Sequence, residues 1–191
     1  MRGNCARRPL RHARDRQDAA GSGTRRRGGR ADRQPGARIV VTQRAPVLVL
    51  AVGNPSRGDD AIGPTLAGRL EALAMPQVEV ITDYQLQVEH VLEIEGRERV
   101  IFVDAGADTP APFELRRVRP STGLAHTTHE LAPAGVLDTY ERAIGDLSAD
   151  AWLLCVRGEA FDLGEGLTGA AEANGDAAFV QLVELCCLAG R

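Results

Sequence analysis

Three short runs of the chain, VLVLAVGN (47–54), RVIFVDAG (99–106) and AWLLCVRG (151–158), are apolar at nearly every position. A strand with one wet face alternates; a strand apolar throughout must be covered on both faces. Between these runs lie segments with helical spacing. DAIGPTLAGRLEALA (60–74) sets Ile62, Leu66, Leu70 and Leu73 on one stripe, and QVEHVLEIEGR (87–97) does the same with Val88, Val91 and Leu92. HELAPAGVLDTYERAIG (129–145) aligns Leu137, Tyr140 and Ile144, and a last helix over about 168–189 turns Val180, Val183 and Cys187 inward. VEVITD (78–83) reads as a further strand, and FELRRVR (113–119) alternates as an edge strand does. Strands alternating with helices predict an α/β domain: a mostly parallel sheet with helices on both sides.

The 191 residues, 43% of them hydrophobic, suffice for one domain with a substantial core. No apolar run approaches the roughly 20 residues that cross a bilayer. The four cysteines, Cys5, Cys155, Cys186 and Cys187, form no CxxC pair. They suggest neither a zinc site nor a disulfide framework, which fits a reducing compartment.

The net charge of −3 conceals a division. Residues 1–45 hold 13 arginines against Asp15, Asp18 and Asp32, while residues 46–191 hold 10 arginines against 23 acidic residues. The first segment is too poor in apolar residues over 1–37 to offset its ordering entropy and is expected to be disordered. A nucleic-acid- or partner-binding arm and an organelle transit peptide are alternative readings; the favoured one is an extension without function, from a start codon placed too early. The expected organisation is therefore an Arg-rich extension over 1–45 and a single α/β domain over 46–191.

In an open α/β sheet, ligands bind beyond the carboxyl ends of the strands. Asp59 and Asp60 follow the first strand, in GNPSRGDDAIG (53–63); Asp83 closes the second and Asp104 the third; His126 and His129 precede a helix. Singly, each has a plain structural reading. Asp60 suits a helix N-terminus, and Asp59 a cap. Asp104 suits a bond to the amides of its own turn, Asp83 a turn, and the histidines solvent. Together, two carboxylates and an imidazole make a hard O/N donor set that can hold a divalent first-row metal with open positions. The loop is neither G-x-G-x-x-G nor a Walker loop, since Asp59 stands where the lysine belongs. A phosphoacceptor receiver needs a lysine, and the chain has none; no G-x-S-x-G elbow is present.

VLVLAVGNPSRGDDAIG, DYQLQVEHVLEIEGRERVIFVDAG, THELAP and GEAFDLGEGLT, in this order from about residue 46 onward, resemble the hydrogenase maturation endopeptidases. The QL…E and GEAFDLGEGL segments look most like the subgroup serving soluble, cofactor-reducing [NiFe] hydrogenases. The resemblance implies a three-layer α/β/α fold with a twisted, five-stranded sheet. It implies an enzyme, an endopeptidase that removes a short C-terminal extension from the large-subunit precursor of a [NiFe] hydrogenase after nickel insertion. It also implies three metal-contacting residues, Asp60, Asp104 and His129; His126 has no counterpart. The nickel is expected to be carried by the substrate, with little affinity for the free protease. The expected protein is a cytoplasmic monomer whose partner is that precursor, not nucleic acid or a membrane. Two other readings remain: a non-catalytic nickel- or partner-binding module, and another metal-assisted hydrolase. Two departures stand out: Ala61 replaces a common glycine, and Thr82–Asp83–Tyr84 replaces an Asp–Gly–Gly turn.

Overall fold

A computed structural model describes residues 44–121 and 131–187. The Arg-rich extension, apart from Arg44 and Ala45, lies outside them, as do His126 and His129. The strands are β1 (Val47–Val52), β2 (Val78–Asp83), β3 (Arg99–Gly106), β4 (Phe113–Arg117) and β5 (Asp150–Arg157). The helices are α1 (Ile62–Glu71), α2 (Val91–Ile94), α3 (Pro133–Ala143) and α4 (Gly169–Cys187). One five-stranded sheet has the order β2-β1-β3-β5-β4. All neighbours pair in parallel except β4, which is antiparallel to β5.

This order explains the composition of each strand. β1, β3 and β5 are interior, and all six residues of β1 are buried. Successive residues of β1 serve opposite faces. Val47, Val49 and Ala51 join Ile101, Val103 and Leu154 under α1 and α4. Leu48, Leu50 and Val52 join Val100, Phe102 and Leu153 under α3 and α2. The result is three layers, helix on sheet on helix, as expected. The two edge strands are less covered and carry charged residues: no residue of β2 is fully buried and Glu79 is partly exposed, and Glu114, Arg116 and Arg117 of β4 are exposed.

The helices depart from expectation in their faces. α1 buries Ile62, Leu66 and Leu70, but Leu73 lies past its end and is half exposed. The segment 88–94 is a 3-10 turn followed by one short helix, ended near Gly96. Its inward residues are His90, Val91 and Ile94, while Val88 and Leu92 face water. α3 buries Leu137 and Tyr140, with Ile144 at its exposed C-cap. α4 turns Ala171, Gly175, Ala178, Leu182, Leu185 and Cys186 inward, leaving Val180 and Cys187 exposed and Val183 half-buried. Small residues carry this inner face because α4 packs closely over α1, with Gly175 against Leu66. Among the described residues no helix is long and apolar enough to cross a membrane.

Candidate functional site

The strand order reverses between β1 and β3: the chain leaves β1 toward β2 on one side and later returns to β3 on the other. Crossovers diverge there and leave a crevice at the carboxyl edge. A cavity of about 540 Å³ occupies this edge. Its walls are Val52 to Asn54 after β1, Tyr84 to Leu86 after β2, Asp104 and Ala105 in β3, Leu131 to Pro133 entering α3, and Phe161 after β5. Asp60 and Arg57 complete it.

Asp60 and Asp104 thus line the same cavity, although 44 positions apart. Asp60 sits in a 3-10 turn, Gly58–Ala61, that runs directly into α1. Its side chain caps neither turn nor helix. Instead Oδ2 accepts the Asn54 N–H at 2.9 Å, which fixes the carboxylate toward the crevice. Asp104 Oδ1 accepts the N–H of Ala105, the next residue of β3, at 2.8 Å, alongside its place in the cavity wall. Ala61, where glycine is common, has φ −71° and ψ −5°, which any residue adopts, so the replacement carries no backbone cost.

Asp59, expected as a cap, has another task. It is fully buried and points away from the cavity, into the loop after β5. Oδ1 accepts the Thr168 N–H at 2.7 Å, and Oδ2 accepts the N–H groups of Glu159 (2.7 Å) and Ala160 (3.0 Å) and the Thr168 hydroxyl (3.0 Å). Burial alone would raise its pKa, but these four donors outweigh burial and hold the carboxyl below its ordinary range. Thr168 in turn accepts the Ala171 N–H and so caps α4. Backbone bonds add to the seam: Asp59 N–H to Ala160 O, Gly58 N–H to Glu165 O, and Gly164 N–H to Ser56 O. Gly58 has φ +51°, and a Cβ there would strike the Ala160 carbonyl. The GNPSRGDD and GEAFDLGEGLT segments are therefore sewn together, which places Phe161 in the cavity wall.

Asp83 organises the loop after β2. Oδ1 accepts the Tyr84 N–H at 2.6 Å, and Oδ2 accepts the Gln87 side-chain amide at 3.1 Å. Buried His90, not singled out in the sequence, accepts the Gln87 N–H on Nδ1 at 3.0 Å and directs Nε2 at Asp83 Oδ2, 3.6 Å away. An accepting Nδ1 places the proton of a neutral ring on Nε2. The network shapes the wall that presents Tyr84, Gln85 and Leu86.

Among the described residues no group of three or more His, Cys, Asp or Glu is placed to hold a metal ion. Asp60 and Asp104 are the two carboxylates of the expected set that lie within them. Cys155, opposite Asp104 in the β3–β5 register, is not a poised nucleophile. Burial pushes its thiol up; a contact with Thr109 Oγ1 at 3.0 Å opposes this, and Asp104 and Glu114 add to the rise.

Similar folds occur among solved structures. A [NiFe] hydrogenase maturation protease, HycI from Thermococcus kodakarensis KOD1, superposes with TM-score 0.59 at 23% identity, over 76% of this chain and 94% of that one. The hydrogenase maturating endopeptidase HybD from E. coli gives 0.58 at 25% identity, over 75% and 93%. This chain has the fold of the hydrogenase maturation proteases and resembles them as a family. The hydrogenase 2 maturation peptidase from Thaumarchaeota archaeon SCGC_AB-539-E09 adds a third likeness, 0.54 at 25% identity over 74% and 98%. Neither a family model nor a curated protein sequence matches.

Proposed function

We propose that the protein is an endopeptidase that removes the C-terminal extension of a nickel-loaded [NiFe] hydrogenase large-subunit precursor, recognising the substrate's nickel through Asp60, Asp104 and His129. The observation that carries this reading is the meeting of Asp60 and Asp104 in one cavity at the switch point of a fold shared with maturation proteases. His129 lies outside the described residues. Its support is its place in the chain, two residues before Leu131, which with Ala132 and Pro133 lines the same cavity.

The chemistry follows from the donors. Two carboxylates and an imidazole are hard-to-borderline ligands and hold nickel only modestly by themselves. A modest site suits a protease that must inspect nickel already bound by its substrate, because a tight one would strip the metal. Asp60 is pre-oriented for this by the Asn54 N–H on Oδ2, and among the described residues Oδ1 takes no hydrogen bond. A substrate docked through its metal brings the adjoining peptide against the cavity walls, and fixed placement of this kind lowers the barrier by removing motion beforehand.

Asp60→Ala, Asp104→Ala and His129→Ala test the assignment. Each is expected to abolish processing while far-UV circular dichroism stays that of the folded wild type. Unfolding by any of them would return that residue to a structural role. Wild-type protein dialysed after nickel loading is expected to retain no stoichiometric metal; tight retention would contradict recognition of substrate-borne nickel.

A further inference from the structure

Among the described residues Arg57 is the cation that lines the cavity, and its guanidinium has no partner there. Eight of the ten arginines among the described residues engage a carboxylate or a backbone carbonyl. Arg57 and Arg119 engage neither, and of these two Arg57 lines the cavity. Its backbone is nevertheless held firmly. The Arg57 N–H donates to Asn54 O and its carbonyl accepts the Asp60 N–H, both at 3.0 Å, while the flanking residues are bonded to Gly164 and Glu165. A fixed Cα with an exposed, unengaged guanidinium is a donor fork awaiting an acceptor. Asp60, three residues on, does not serve as that acceptor: the two side chains form no ion pair, and the Asp60 carboxylate is turned to the Asn54 N–H. The cavity is thus divided by charge, with carboxylates for a cation and a guanidinium for an anion. A ligand that carries both charges is complementary to it.

We infer that Arg57 docks a carboxylate of the peptide that is to be cleaved. The inference rests on the peptidase reading above and names a substrate contact for that same site. A planar guanidinium matches a carboxylate through two parallel N–H···O bonds, which lysine does not reproduce. The carboxylate comes from the C-terminus of the extension or from an acidic side chain within it. Arg57 is a binding residue in this account. It contacts the substrate equally before and during reaction, so its loss appears in KM.

The test follows processing of nickel-loaded precursor by intact mass across a range of precursor concentrations. It uses the full chain as wild type, Arg57→Gln and Arg57→Lys. Two altered precursors accompany the native one: a C-terminal amide, and one with the acidic side chains of the extension changed to amides. Arg57→Gln is expected to raise KM about tenfold with kcat within about twofold, and Arg57→Lys to recover part of the loss. One altered precursor should slow the wild type to the same degree while slowing Arg57→Gln no further, as coupling within one pair requires. The amide responding identifies the terminal carboxylate; the other responding identifies a side chain. An unchanged KM in Arg57→Gln, or native-like cleavage of both altered precursors, overturns the inference and leaves the peptidase standing. No cleavage by the wild type overturns both.

Discussion

Replacing Asp59 by asparagine should cost more than any single change at the cavity wall. Asparagine keeps one carbonyl oxygen, and its amide settles with that oxygen in the place of Oδ2, where it still accepts the Glu159 and Ala160 N–H groups and the Thr168 hydroxyl. Its amide nitrogen then takes the place of Oδ1 and faces the Thr168 N–H, donor against donor. Hydrogen bonds to a charged acceptor contribute about 1.5–3 kcal/mol each and neutral ones about 1, so losing one outright and reducing three to neutral strength costs about 3–5 kcal/mol. At about 2–4 °C per kcal/mol for a domain of this size, Tm falls by roughly 10 °C. The pH dependence supplies an internal control. The folded-state pKa of Asp59 is lowered, so its stabilisation is complete above the unfolded value and is lost as pH falls through the folded one. The gap between wild type and Asp59→Asn in chemical denaturation should be full at pH 7 and shrink below about pH 4. A gap under about 1 kcal/mol at pH 7, or one that persists unchanged in acid, would refute the anchoring role.

Other perturbations read other parts of the fold. Gly58→Ala forces a side chain into the left-handed region and against the Ala160 carbonyl, so it should destabilise by about 1–3 kcal/mol in thermal melts; an unshifted Tm would contradict the seam. Arg97 is fully buried: it donates to Glu93 O and Ala45 O and lies 2.7 Å from Glu79 Oε2, an ion pair not aligned for a hydrogen bond. Arg97→Met should cost about 2–3 kcal/mol in urea titration, less than a wholly buried pair because water reaches Glu79. Deleting residues 1–37 should leave both Tm and processing rate unchanged; a fall in rate alone would make the extension a docking arm.

How legible each part was depends on how completely a residue's surroundings fix its type. The interior strands were plain because β1, β3 and β5 are covered on both faces and admit little but apolar residues. The face of α4 was misread because alanine and glycine, small enough for close packing over α1, give a weak periodic signal, whereas the conspicuous Val180 faces solvent. The helix over 87–97 was overdrawn because Val88 and Leu92 fit a stripe, although only about one turn forms before Gly96. The two adjacent aspartates show the limit most clearly. A 3-10 turn sends Asp59 into the protein and Asp60 to the cavity, and no spacing rule assigns those directions. The partners of Asp59 lie about 100 residues downstream, so its role becomes visible only after the chain has folded. The place of Asp104 in the cavity wall was legible because a carboxylate near the carboxyl end of an apolar interior strand lies at the ligand edge, although β3 runs on to Gly106.

The most direct measurement is the intact mass of a [NiFe] hydrogenase large-subunit precursor incubated with the wild-type chain, once loaded with nickel and once metal-free. Loss of a C-terminal peptide from the loaded precursor alone is the predicted result. Equal cleavage of both would contradict nickel as the recognised feature, and an intact loaded cognate precursor would contradict the peptidase itself.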